Sequence, residues 1–249
     1  MLNNISIVII AKNADLTIEK TLKSVKEFGE VVVYLNNSTD NTESIASKFD
    51  NVKLVKGEFI GFGPTKNVAA THASNDWILS LDSDEVITKE LRDELDALDI
   101  SDSSKVYALK MDDYFLGHRL KFRTEKKVRM YNRTAHKFDS LKVHENVEYS
   151  SGDKITLQHP FKHLHINTVN QTLEKTIRYT DIAAKGKKTC FFAIVIAKPL
   201  FAFFQAYILR LGFLNGWVGF AVAISNANDR YYKYLKRYVN CSNQGEMLP

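Results

Sequence analysis

Trp77-Ile78-Leu79-Ser80-Leu81-Asp82-Ser83-Asp84-Glu85 is the stretch on which the reading of this chain turns. A short, mostly apolar run suits a strand buried on both faces, and an acidic triplet follows it without a spacer. Carboxylates crowded at the end of a buried strand are costly unless a cation shares the site. Asp82 and Asp84, with Glu85 beside them, suit a divalent metal with oxygen ligands, of the kind that bridges nucleotide phosphates. The same residues also read as a solvated loop that caps a helix starting near Thr88, so the surrounding sequence has to separate the two readings.

Toward the N-terminus, Ile5-Ser6-Ile7-Val8-Ile9-Ile10, Val31-Val32-Val33-Tyr34-Leu35 and Val52-Lys53-Leu54-Val55 repeat the apolar, β-branched character of buried strands. Ala14 to Phe28 carries apolar residues at helical spacing and is closed by Gly29. A second helix is expected from Thr39-Asp40-Asn41-Thr42 to about Phe49, with Asp40 as a capping residue, and a third from Thr65 to Ala73 after the loop Gly61-Phe62-Gly63-Pro64. Strand and helix therefore alternate, which predicts a parallel sheet with right-handed crossovers. Such sheets bind ligands at the carboxyl ends of their strands. Lys12-Asn13, Asn36-Asn37 and the acidic triplet all fall at such ends.

Beyond Lys105 the rhythm changes. Val106 to Met111, Lys127 to Tyr131, Leu141 to Tyr149 and Ile155 to Leu157 read as strands with no helices between them, so antiparallel pairing is expected. From Val169 the chain reads as helical. The expected division is a first domain over 1–168, with halves over about 1–100 and about 101–168, and a helical region over 169–249.

The formal net charge is +5, with acidic residues crowded between Asp82 and Asp102 and basic ones in the second half. Those basic segments are interleaved with long aliphatic runs as well as Phe and Tyr. That composition suits lipid better than stacked bases, and no nucleic-acid partner is expected. Cys190 to Leu214 is rich in Phe, Leu and Ile but interrupted by Lys198 and Pro199, so it reads as an amphipathic or interfacial segment rather than a spanning one. With Lys185, Lys187, Lys188 and the run Tyr231 to Tyr238 it would suit an anionic inner-membrane surface. The alternative is that it packs on the catalytic domain or joins two copies in a homodimer. Cys190 and Cys241 lie far apart in a chain with no other cysteine, which argues against a disulfide framework and fits a reducing compartment. The chain opens on strand-like sequence without a leader pattern, and the expected location is cytoplasmic, peripheral on the inner membrane.

Four pieces occur in order: Ile5 to Asn13, Asn37-Ser38-Thr39-Asp40-Asn41-Thr42, Gly61-Phe62-Gly63 with Lys66-Asn67, and Trp77 to Glu85. Together they resemble the family 2 inverting glycosyltransferases of GT-A fold. Val143-His144-Glu145, Arg178-Tyr179-Thr180 with Ala183-Ala184, and Gly212-Phe213-Leu214 with Gly216 are similar to one branch, the lipopolysaccharide inner-core β-1,4-glucosyltransferases. The resemblance implies an α/β fold of GT-A type, a mostly parallel nucleotide-sugar-binding sheet with flanking helices and an amphipathic helical C-terminal region. It implies glucose moved from UDP-glucose to a heptose of a lipid-linked oligosaccharide. Alternatives are a capsule, protein-glycan or polyprenyl-phosphate acceptor, or a nucleotide-binding scaffold without catalysis.

The resemblance also implies roles. Ala11 and Asn13 would border the nucleobase, with Asn13 otherwise a turn or cap residue. Leu35 stands where the family has an acidic residue, so Asn36 or a backbone group would take the uracil contact. Lys66 would approach the diphosphate, Asn67 the ribose or base, and Asp82 the ribose or a metal. Asp84 would bind the metal, Mg2+ or Mn2+. Glu145 would be the general base, oriented by His144, with Asp112, Asp113 and Glu85 in reserve. Arg129 and Arg133 would bind phosphate or lie on a solvated strand face, and His163 or His165 would supply a further metal ligand or simply pack.

Overall fold

The computed structural model describes residues 1–140 and 145–242. The first half alternates as the hydrophobic runs dictate: β1 (Ile5–Ala11), α1 (Ile18–Ser24), β2 (Glu30–Leu35), α2 (Thr42–Ala46), β3 (Val52–Lys56), α3 (Phe62–Thr71) and β4 (Trp77–Asp82). The short β5 (Glu85–Val86) and α4 (Lys89–Asp96) follow, then the long β6 (Val106–Phe115), β7 (His118–Asn132) and β8 (Lys154–Ile166). The helices α5 (Val169–Ala184), α6 (Phe192–Phe204) and α7 (Gly216–Ser242) complete the chain.

All eight strands form one sheet in the order β3-β2-β1-β4-β7-β6-β8-β5. β1, β2, β3 and β4 pair in parallel, whereas β4 with β7 and β5 with β8 pair antiparallel. Every residue of β1 is buried, because helices cover both of its faces. Ile5, Ile7 and Ile9 pack with Leu22, Val25 and Phe28 on one face. Val8 and Ile10 meet Ala69 and Ala70 of α3 on the other. Each such aliphatic side chain contributes roughly 1.5–3 kcal/mol when removed from water.

The expected fold class is borne out, and the boundaries differ locally. α1 and α2 are shorter than their apolar spacing predicts. Thr42, α2's first residue, donates its backbone N–H and its hydroxyl to Asp40, whose other oxygen accepts from the Asp15 N–H. Asp40 thus ties two loops together as well as capping, and these bonds outweigh its burial and lower its pKa. α3 starts three residues earlier than Thr65 and contains Gly63 and Pro64, since a proline in a first turn forfeits no intrahelical hydrogen bond. Of the strand expected over 141–149, residues 141–144 lie outside the described residues, and the rest contributes a single antiparallel bridge between Phe138 and Val147.

The chain divides into two compact units, Met1–Asp112 with Thr124–Leu164, and Asp113–Arg123 with the chain from His165 onward. In the second unit, Thr168 and Gln171 form a capping box at the start of α5. The hydroxyl of Thr176 donates to Asp229 of α7, and Lys236 reaches Thr180 and Asp181. α6 runs through Pro199 without ending and passes into a π-helical turn over Gln205–Leu209. Phe192–Leu209 is long and apolar enough to cross a membrane by length and composition, with a mean hydropathy of 1.9 and 11% of its residues buried.

The cysteine reading is corrected by this unit. Cys190 and Cys241 form a disulfide, their Cα atoms 5.4 Å apart. A separation of 51 residues hides the approach, because α7 folds back along α5 and α6 and brings Arg237 O against Thr189 N at 3.1 Å.

Candidate active site

The parallel register aligns the carboxyl ends of three strands. Ala11 sits opposite Leu35, and Ile10 opposite Asp82. Ala11 is buried and its carbonyl accepts from Asn36 N at 3.0 Å, which welds the ends of β1 and β2. Asn13 and Asn37 adopt positive φ, as asparagine does at sharp strand exits. The Asn13 carboxamide oxygen accepts from Thr39 N at 2.8 Å, and its backbone N–H donates to Ser38 Oγ, so this residue builds the loop pair. Asn36 is 6% exposed, and its Oδ1 is a buried acceptor with no partner among the described residues. An acceptor left this way at a strand's carboxyl end favours a donor arriving from outside the chain.

Beneath these loops lies a buried charge network. Lys66 is 1% exposed, and its ammonium lies 2.9 Å from Asp82 and 2.7 Å from Glu145. Arg129, 3% exposed, donates to Asp82 at 2.7 Å and to the fully buried Glu85. Burial opposes the charge on Asp82, but the Arg129 guanidinium and the Lys66 ammonium outweigh it and hold its pKa well below the usual carboxylate range. Burial pushes Glu85 up to about 6 against the pull of Arg129, with Asp82 and Asp84 adding repulsion. Both oxygens of Asp82 are therefore engaged by cations, one by each.

Asp84 turns elsewhere, with Oδ2 3.5 Å from His163 Nε2. The Thr21 hydroxyl holds the triplet's backbone by donating to Ser83 O at 3.0 Å. Among the described residues no group of three or more His, Cys, Asp or Glu forms a metal cluster. Asp84 and His163 offer one oxygen and one nitrogen donor, and the carboxylate is the donor that would suit Mg2+ or Mn2+. The His165 side chain, Val143 and His144 lie outside the described residues.

Helix α3 anchors the segment that carries Glu145. The carboxamide of Asn67 clamps Phe138, donating to its carbonyl and accepting from its N–H, both at 2.9 Å. Both ends of that side chain are therefore occupied by backbone. A Cβ on Gly63 would lie 2.2 Å from Asp139 O, so only glycine permits this approach. Gly61, at φ 113, allows the turn that enters the helix. Arg133 serves the same helix from its far end, donating to the carbonyls of Ala70 and Ala73 at 2.8 Å each, and does not join the charge network. Asn67→Ala strands two backbone groups of Phe138. It is expected to cost about 1–3 kcal/mol of stability, read by urea denaturation.

Asn67 as a clamp and Thr21 as a backbone tether are the roles that sequence reasoning missed. Lys66 did leave a signal, since it shares one helical face with Ala69, Ala70 and Ala73, all buried. A lysine on such a face needs carboxylates.

Residues 6–154 match the model of glycosyl transferase family 2. The chain belongs to that family. A glycosyltransferase of Rickettsia bellii without assigned substrate is 30% identical over 93% of this chain and 85% of its own length. A lipopolysaccharide core biosynthesis glycosyltransferase of Rhizobium meliloti, LpsC, is 24% identical over 94% of this chain and 92% of its own. The crystal structure of Staphylococcus aureus TarS 1-349 in complex with UDP superposes with a TM-score of 0.50 at 17% identity, covering 97% of this chain and 92% of that one. This likeness shows the fold, which is of GT-A type. The glycosyltransferase is thus an enzyme of family 2, with its strand-end loops and charge network inside the matched region.

Proposed function

We propose that this enzyme is an inverting hexosyltransferase that moves glucose from UDP-glucose to a heptose of the lipopolysaccharide inner core. The observation that carries the reading is the convergence of Asp82, Asp84, Lys66, Arg129 and Glu145 at the carboxyl edge of the parallel strands. Relationship to LpsC along nearly the whole chain supports a lipid-linked core acceptor. The TarS complex supports UDP as the carrier.

The unpartnered Oδ1 of Asn36 suits the imide N–H of uracil, in place of the acidic residue that Leu35 replaces. Asp84 and His163 would hold Mg2+ or Mn2+, which supplies positive charge to the leaving diphosphate. Lys66 and Arg129 face three carboxylates, Asp82, Glu85 and Glu145, so these two cations have no surplus charge for that task. Glu145 takes the proton of the acceptor hydroxyl as its oxygen forms the bond to the anomeric carbon. The bond from that carbon to the diphosphate breaks, and UDP leaves with the electron pair. One displacement on the face opposite the leaving group inverts the centre. The exposed apolar side chains of α6 support peripheral attachment to an anionic membrane surface, where such an acceptor resides.

Thermal unfolding with UDP and Mn2+ tests the donor half. At a hundredfold excess over the dissociation constant the folded state gains about 2.7 kcal/mol, and Asp84→Asn removes the part that depends on metal. Wild-type protein whose unfolding is indifferent to UDP with or without Mn2+ would end this reading. A screen of UDP-sugars against a deep-core acceptor then identifies the hexose.

A further inference from the structure

The helical unit contains a cavity of about 370 Å3 between α5, α6 with its π-helical turn, and α7. Lys175, Arg210, Arg230 and Lys233 contribute to its wall, against a single carboxylate among the described residues, Asp229. That carboxylate already accepts a hydrogen bond from Thr176. Arg210, Arg230 and Lys233 form no ion pair among the described residues. Burial first, then the charges of Arg237, Arg230, Lys187 and Lys198, depress the pKa of Lys233, and of these cations Arg230 shares the cavity wall with it. Like charges gathered around a cavity cost stability in the free protein, and an anion with several acceptor oxygens relieves that cost. Guanidinium groups favour phosphate in particular, through paired parallel hydrogen bonds.

We propose that this cavity is a binding site for a phosphate ester. Ala202 and Gln205 line it from the same helical stretch that leaves Phe201, Phe204 and Ile208 exposed. A phosphate held here thus has apolar surface beside it, as a lipid headgroup requires, while a soluble phosphate ester shares the polar chemistry. The site goes beyond the donor reaction and does not rest on it.

The test compares flotation of the full chain with phosphatidylcholine vesicles, with vesicles containing phosphatidylglycerol, and thermal unfolding with glycerol 3-phosphate. Arg210→Gln with Arg230→Gln is expected to weaken binding about tenfold or more, the loss of charge-assisted hydrogen bonds. Lys20→Gln with Lys26→Gln removes equal charge at exposed positions outside the cavity and is expected to change it by less than about threefold. Lys233→Gln alone provides a milder second variant, and UDP-stabilised unfolding in every variant separates this site from the donor site. Stabilisation by glycerol 3-phosphate that the cavity variants lose identifies a soluble source. Binding confined to phosphatidylglycerol vesicles, and lost in those variants, identifies a lipid. Equal losses in cavity and control variants, or no binding by the wild-type chain in either assay, overturn the proposal.

Discussion

Glu145→Gln is expected to lower transfer by roughly a hundred- to ten-thousand-fold while leaving UDP binding near that of the wild type. The amide keeps an acceptor for Lys66, which lies 2.7 Å from the carboxylate, and Asp82 remains as that lysine's counter-charge. What disappears is the capacity to accept a proton. The loss should therefore fall on kcat, with the donor KM little changed. Retention of activity within threefold would transfer the role of base elsewhere. Glu85 is poorly placed to inherit it, being fully buried and bound to Arg129.

The second large effect is on stability. Arg129→Met leaves Glu85 buried without its counter-charge and deprives Asp82 of one of its two cations. Breaking a buried pair from one side costs about 3–5 kcal/mol. Exchanging both members for apolar residues, as in Arg129→Met with Glu85→Leu, should recover part of that loss, the Asp82 N–H that donates to Glu85 being left without its acceptor. The chain has two tryptophans, Trp77 in the catalytic unit and Trp217 in the helical unit. In a Trp217→Phe background, Trp77 fluorescence during urea denaturation reports on the catalytic unit alone. A double variant no more stable than the single one would show that the cost lies outside this ion pair.

Much of the fold was legible because its signals are local. β1 to β4 are continuous apolar runs separated by helical spacing, and that alternation dictates a parallel sheet. The long hairpin of β6 and β7 was seen only in fragments, since charged positions such as Lys121 and Glu125 interrupt the apolar pattern. The edge residues of the site were legible as strand ends. Their partners were not, because pairing across 79 residues, as between Lys66 and Glu145, leaves no periodic trace. Asn13 and Asn67 show the limit best. Both carry side chains able to bind a nucleotide, and in the folded chain Asn67 gives both ends of its carboxamide to Phe138 while Asn13 gives its oxygen to Thr39. Composition reveals a hydrogen-bonding capacity but not where it is used.

The bond between Cys190 and Cys241 has a practical outcome for anyone handling the purified chain. Residues 191–240 include the largely exposed connection over 210–215 between the π-helical turn and α7, where a protease meets few obstacles. A single cut there yields two pieces that still migrate as one on a denaturing gel. Only after a thiol reagent is added do the fragments part, so limited digestion without reductant will make this region look intact when it is not.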